Sequence, residues 1–347
     1  MLELLKATGR FGLPYMLRLR SSYKAAWRDM FRGYVTTTGL HALLNVGFLD
    51  ELERQGSVDL DEFAANRDLD IRVLRPVCEA FQSMRILRRY GERYYFRRPQ
   101  AETLAAIRGW LEVSWGYSEI FHSLEDLMRR NKEYGRDFSR RSDYVARGSG
   151  EMEKWLYFPL TNDIIREKGY KTILDLGCGD GTFLRNLCTI NKEVRCFGID
   201  LAQSAIDEGR CKAIVAGLQH RLTLYAQDIA DIECASGPAL RGIDVATAFF
   251  VLHELLYYGK SVLLKFLRDF RRVFPNVPLI AVETIRPTPE AMAKREGLAI
   301  YYFLYHDLSQ QRPADRETWK TLFQEAGFES IEERNLPFVR SAIYLLR

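Results

Sequence analysis

The stretch Ile173-Leu174-Asp175-Leu176-Gly177-Cys178-Gly179-Asp180-Gly181-Thr182-Phe183 constrains the fold of this chain more than any other. Thr172 to Leu176 predicts a short buried strand, and Thr182 to Cys188 predicts a helix. Glycines at alternate positions between them predict a tight turn. Such a turn lets backbone amides approach a ligand where a Cβ would collide. The helix that follows offers its N-terminal amides to an anionic group. Strand, glycine turn and helix together open a doubly wound α/β sheet. The spacing is G-x-G-x-G rather than the G-x-G-x-x-G of dinucleotide sites, which argues against a nicotinamide-binding fold.

Acids follow at the strand ends. Asp175 lies inside the first strand, just before the glycines. Val194 to Ile199 predicts a second strand ending in Gly198-Ile199-Asp200-Leu201, where a carboxylate can accept from both hydroxyls of a ribose. Leu222 to Ala226 predicts a third, ending in Gln227-Asp228-Ile229, an acid and an apolar neighbour that suit an adenine edge. Ile243 to Phe250 predicts a fourth, running into Val251-Leu252-His253-Glu254.

This series of strand ends resembles the class I S-adenosylmethionine-dependent methyltransferases, from about Tyr144 onward. The resemblance implies a Rossmann-like, seven-stranded α/β sheet, mostly parallel with one reversed strand. It implies S-adenosylmethionine as cofactor. Asp175, Gly177 and Gly179 would line its methionine end, Asp200 would hold the ribose, and Asp228 and Ile229 would flank the adenine. Tyr144, Leu201 and Phe249 complete the expected cofactor set. Arg147, just before the first strand, is a candidate for gripping a carboxylate of cofactor or substrate. A solvated loop arginine is the plain alternative.

Ahead of this domain, Tyr23 to Leu49 carries helical periodicity with a stop at Gly47. Ser57 to Ala64 predicts a capped helix start, and Asp70 opens a longer helix. Ile86 to Phe96 predicts a hairpin. Helices followed by a hairpin make a mainly α-helical winged-helix arrangement. DNA binding is disfavoured, because Arg72, Arg75, Arg85, Arg88 and Arg89 are interleaved with acids and Pro76 interrupts the recognition-helix candidate. In small-molecule methyltransferases such a module resembles a dimerisation domain. The expected division is 1–102 winged-helix dimerisation domain, 103–150 helical linker and cofactor lid, and 151–347 methyltransferase domain. Within the linker, Tyr134 to Gly150 reads as polar and flexible, before a helix over Met152 to Glu167.

Composition sets the remaining bounds. With 347 residues the chain is too long for one minimal nucleotide fold. Its 50 basic and 46 acidic residues give no mandate for nucleic-acid binding. The cysteines show no C-x-x-C pair or zinc spacing, as expected of reduced thiols in the cytoplasm. No apolar run is long enough to span a bilayer.

His253 and His306 stand out among the histidines. The first lies just past the fourth strand, and the second in the aromatic segment Ile300-Tyr301-Tyr302-Phe303-Leu304-Tyr305-His306-Asp307. Each could satisfy a local backbone bond, act as general base, or join a metal site. Val251-Leu252-His253-Glu254 and Tyr305-His306-Asp307-Leu308-Ser309 resemble the phenylpyruvate C-methyltransferase family. That resemblance implies a homodimer holding non-haem iron through His253 and His306 and methylating C3 of an α-keto acid. It implies catalytic roles for His253, Glu254, His306 and Arg147. Glu254 or Asp307 would orient a ligand or take the C3 proton, and Glu254 departs from the aspartate of the family. Trp110, Trp115, Tyr117, Tyr301, Tyr302 and Phe303 could line a side-chain pocket, and Glu119 could hold a guanidino keto acid. The competing reading is a metal-free O-methyltransferase with His253 as base. A DNA-binding protein that senses the cofactor is the reading from another class.

Overall fold

The computed structural model describes residues 9–26, 30–97, 100–232, 240, 242–293, 300–311 and 313–347. The chain divides into two compact units, Met1–Trp115 and Gly116–Arg347. The expected linker 103–150 is thus split between them.

In the first unit, the helices Arg32–Asn45, Phe48–Gln55, Leu60–Asn66 and Ile71–Ser83 enclose a small apolar core with the strands β1 (Val58–Asp59), β2 (Leu87–Tyr90) and β3 (Arg93–Phe96). These strands form an antiparallel sheet in the order β1-β3-β2. Asp59 and Asp70 start their helices by accepting from the amides of Glu62 and Arg72. Gly47 takes φ 77° between the first two of these helices, a conformation in which a Cβ is strained. Several arginines of this unit are engaged by acids. Arg72 pairs with Asp70 at 2.8 Å, Arg75 with Glu92 at 2.9 Å, and Arg89 with Glu92 at 2.6 Å.

The second unit is built on a seven-stranded sheet. Its strands are β4 (Thr172–Leu176), β5 (Arg195–Asp200), β6 (Leu222–Ala226), β7 (Val245–Phe249), β8 (Leu279–Thr284), β9 (Ile331–Leu336) and β10 (Ser341–Leu346). Their order is β6-β5-β4-β7-β8-β10-β9, and β10 alone runs against its neighbours. The inner strands are largely apolar because both faces are covered. Leu174, Leu176, Ala246, Ala248, Leu279 and Ala281 face one core, with Phe266, Phe270 and Trp319. Ile173, Val245, Ile280, Val282 and Ile343 alternate onto the other, with Phe158, Phe183 and Leu187.

One expectation is corrected. The segment read as flexible through Gly150 is largely helical: Ser142–Glu153 is a helix, and a second, Tyr157–Lys168, begins after a short break. Gly148 and Gly150 look like breakers in the sequence, yet Gly148 is buried, where the absence of a side chain permits close packing.

Candidate active site

The glycine turn is held from β5. The amides of Gly177 and Cys178 both donate to the carbonyl of Ile199, at 2.8 and 3.0 Å. Gly177, Gly179 and Gly181 take φ values of 76°, 54° and 70°, which explains the alternate spacing. A Cβ at Gly177 would meet Val251 at 2.8 Å, whereas one at Gly179 would meet nothing within 4 Å. Asp200 buttresses the loop: its Oδ2 accepts from the Gly179 amide and its Oδ1 from the Ala202 amide, each at 2.8 Å. Asp228 accepts from the Ala230 amide at 2.8 Å. Asp175 is 3% exposed and accepts from the Thr247 hydroxyl at 2.6 Å. Burial pushes its carboxyl up to about 7 despite that bond, and the nearby Asp200 charge adds to the rise.

The two histidines converge. Their ring centroids lie 5.2 Å apart at an interplanar angle of 65°. His253 opens the helix Leu252–Tyr257 after β7, and His306 lies on Ile300–Leu308. Both are buried. His253 Nδ1 sits 2.9 Å from Glu283 Oε2 at the end of β8. Glu283 is fully buried and also accepts from the amides of Leu252 at 2.7 Å, His253 at 3.2 Å and Thr284 at 3.3 Å. His306 Nδ1 lies 2.8 Å from the Tyr302 carbonyl, which can only accept. Each Nδ1 therefore carries a proton, and a neutral ring keeps its lone pair on Nε2.

The rings differ in basicity. Burial pulls His253 down, but the Glu283 charge and hydrogen bond outweigh it, and the imidazole is raised above its ordinary value. Burial pulls His306 down to about 3, and His253 adds to that. His306 is therefore neutral across the physiological range.

Glu254 sits beside the pair, with Oε1 4.0 Å from His253 Nε2. That oxygen accepts from Arg140 and from the Gln311 amide, each at 2.6 Å. Arg140 also donates to the Tyr117 hydroxyl at 3.0 Å. Burial opposes ionisation of Glu254, but Arg140 and then His253 overcome it and hold the carboxyl below its usual range. The Tyr117 ring stacks on Tyr305 at 4.8 Å. Gln311 is buried, and its Oε1 has no hydrogen-bond partner among the described residues.

The structure thus brings together His253, His306 and Glu254. The Arg147 side chain is half exposed, with its guanidinium carbon 4.4 Å from the Tyr144 ring centroid and a nitrogen 3.9 Å from Asp143. Arg140 is the guanidinium at the pair. Asp307, proposed as a partner of the site, is held by Arg286 through contacts of 2.7 and 2.8 Å. Glu119 is exposed, and Phe303 is core. The Tyr301 side chain lies outside the described residues, and Trp110 and Trp115 belong to the first unit. Leu201 is exposed, Ile229 is buried in the core, and Phe249 packs on Phe183 at 4.6 Å. Sequence reasoning missed Glu283, although an acid closing the apolar run Leu279-Ile280-Ala281-Val282 is a visible signal. Arg140 and Gln311 carried no such signal.

Two imidazoles with Nδ1 tied, and with no hydrogen bond at Nε2 among the described residues, have the donor chemistry of metal ligands. Among the described residues no group of three or more His, Cys, Asp or Glu is disposed to hold one.

The sheet order, the glycine loop and the acids at its strand ends define a class I S-adenosylmethionine-dependent methyltransferase with an additional N-terminal domain. Residues 174–274 match the methyltransferase domain family. The chain is 27% identical over 309 residues to 2-ketoarginine methyltransferase of Streptomyces arginensis, covering 87% of this chain and 88% of that one. Among solved structures it resembles the N,N-8-amino-8-demethyl-D-riboflavin dimethyltransferase of Streptomyces davawensis, with TM-score 0.62 and 18% identity, covering 93% of this chain and 99% of that one. It also resembles human N-acetylserotonin methyltransferase in complex with S-adenosylmethionine, with TM-score 0.61 and 14% identity, covering 96% and 97%. Among the described residues no helix is long and apolar enough to cross a membrane.

Proposed function

We propose that this chain transfers the methyl group of S-adenosylmethionine to C3 of a 2-oxo acid of the phenylpyruvate or 2-ketoarginine type. The observation that carries this reading is the convergence of His253 and His306, 5.2 Å apart, each with Nδ1 fixed by an acceptor. Similarity to 2-ketoarginine methyltransferase supports the acceptor class. His253 and His306 would hold a non-haem iron through Nε2. Iron, when bound, supplies a Lewis acid that stabilises negative charge on the oxygen of an enolate.

The remaining work falls to the protein. Glu283 and the Tyr302 carbonyl fix the tautomer of each imidazole. Arg140 uses donors on Tyr117 and Glu254, and its other N–H groups would take the carboxylate of the acceptor. Glu254, anchored by Oε1, would remove the C3 proton through its other oxygen. C3 then forms a bond to the methyl carbon as the carbon–sulfur bond breaks, and the electron pair passes to sulfur. S-adenosylhomocysteine and the 3-methyl-2-oxo acid leave, and Glu254 returns its proton to water.

The Glu283-raised basicity of His253 favours a second reading, a metal-free O-methyltransferase in which that imidazole deprotonates a hydroxyl. One experiment separates the two. Tag-free protein is assayed for metal by mass spectrometry, and for transfer of labelled methyl to phenylpyruvate, 2-ketoarginine and a panel of phenols. Stoichiometric iron with 3-methyl products, lost on chelation, is expected. Methylated phenols from metal-free protein would overturn the first reading in favour of the second.

A further inference from the structure

We propose that Gln311 is a positioning residue that locks the carboxylate of Glu254 to the turn carrying His306. The helix Ile300–Leu308 ends in a Schellman turn. In it the Gln311 amide donates to the His306 carbonyl at 2.8 Å, and the Gln310 amide to the Asp307 carbonyl at 3.3 Å. Glycine is the usual residue at the left-handed position of such a turn, yet Gln310 occupies it with φ 60°. That conformation is unfavourable for a residue with a Cβ. The turn brings two side chains to Leu252–Tyr257, the helix that carries His253 and Glu254. Gln311 Nε2 donates to Glu254 Oε1 at 2.6 Å, and the Tyr257 hydroxyl donates to Gln310 Oε1 at 3.4 Å.

Chemistry fixes which way the Gln311 amide faces. A carboxylate oxygen only accepts, so the NH₂ must point at Glu254 and Oε1 must point away. Gln311 is 4% exposed, and that Oε1 is buried without a hydrogen-bond partner among the described residues. A buried acceptor without a donor is destabilising. The side chain is therefore held here for its donor, at the expense of its acceptor. Arg140 donates to the same Glu254 oxygen at 2.6 Å from a distant part of the chain. Two donors on Oε1 fix the rotation of the carboxylate and so the direction of its other oxygen. The locked oxygen lies 4.0 Å from His253 Nε2, so Gln311 joins the His306 turn to the immediate surroundings of His253. The inference rests on the reading in which Glu254 takes the C3 proton.

The test uses the full chain with Gln311→Met, which keeps the length of the side chain, and Gln311→Glu, which keeps its shape. Both remove the donor. Two rates are measured on phenylpyruvate and 2-ketoarginine. One is exchange of the C3 hydrogen with solvent deuterium, followed by NMR with S-adenosylhomocysteine bound. The other is methyl transfer from S-adenosylmethionine. Both variants are expected to slow both rates about ten- to hundredfold, as for a misplaced catalytic group, with KM for the 2-oxo acid and cofactor affinity near wild type. In a Glu254→Gln background Gln311→Met is expected to cost nothing further, since the two act through one group. Wild-type rates in both variants, a raised KM at unchanged kcat, or the same extra loss in the Glu254→Gln background overturns the inference. Should Gln311→Met not fold, the isosteric Gln311→Glu decides. No exchange by the wild type, or exchange unaffected by Glu254→Gln, removes Glu254 as the base and the inference with it. Exchange stopped by Glu254→Gln but untouched by the Gln311 variants overturns the inference alone.

Discussion

Replacing Glu283 by glutamine keeps the volume of the side chain and removes its charge. In the native site Glu283 accepts from Leu252, His253 and Thr284 amides and from His253 Nδ1. The amide oxygen of glutamine can still serve the Leu252 and His253 amides. Its NH₂ then faces His253 Nδ1 and the Thr284 amide, both of which are donors in the native site. The two bonds on Oε2 are lost, each worth about 1.5–3 kcal/mol when the acceptor is charged, so the stability ceiling is roughly 3–6 kcal/mol without relaxation. The imidazole has a cheaper escape. His253 can move its proton to Nε2 and accept from the new NH₂ through Nδ1. That tautomer has no lone pair left at the position required of a metal ligand or a base.

Glu283→Gln therefore separates the two functional readings as well as testing the site. If His253 holds iron, metal affinity falls about 10–100-fold, as for other residues that orient a ligand imidazole, and added iron restores rate. If His253 is the base, kcat falls about 10⁴-fold, as when the aspartate of a serine-protease triad is changed to asparagine, and no metal restores it. The assay is methyl transfer against iron concentration, with His253 followed by NMR. Wild-type kcat/KM with an unmoved His253 titration would refute the reasoning.

His306→Ala is expected to lower bound iron and activity together, and full iron with full rate would remove His306 from the metal site. Arg140→Met is expected to raise KM for a 2-oxo acid about tenfold or more while leaving cofactor affinity near wild type, since a buried charge-assisted contact is worth about 1.5–3 kcal/mol; calorimetry with the cofactor checks the second half. In metal-free protein the histidines act oppositely on stability. His306, depressed to about 3, costs stability as pH falls below the ordinary 6.5, because only the unfolded chain then takes up its proton. His253, raised, contributes stability below 6.5 that is lost as pH rises through its folded value. Urea midpoints between pH 4 and 8 for wild type and His306→Gln check this, and the variant is expected to lose less stability on the acid side.

Most of the architecture was legible because the parallel strands are largely apolar and several, β4, β5 and β8, close on a glycine or an acid. Buried strands need the first, and a ligand at their carboxyl ends needs the second. His253 was legible because it lies just past the apolar run of β7, at the carboxyl edge of the sheet. What escaped lies where tertiary packing overrides local signal. Ser142–Gly150 has glycines and few apolar residues, so it was read as part of a loop, and Arg147 was placed in the site. On the helix Arg147 instead stands beside Tyr144. Arg140 and Gln311 lie outside any periodic pattern and reach Glu254 from 114 and 57 residues away in sequence. No spacing rule relates such positions.

The reversed strand β10 has a consequence for synthesis. It lies between β8 and β9, paired with β8 from Ser341–Thr284 to Leu346–Leu279. The strand that carries Glu283 therefore has an open edge until residues 341–346 are in place. The nascent chain can assemble the cofactor loop early, since β4, β5 and β6 are adjacent to one another in the sheet. A chain stopped before residue 341 would lack the strand that covers this edge of β8 and would leave β9 without its pairing partner.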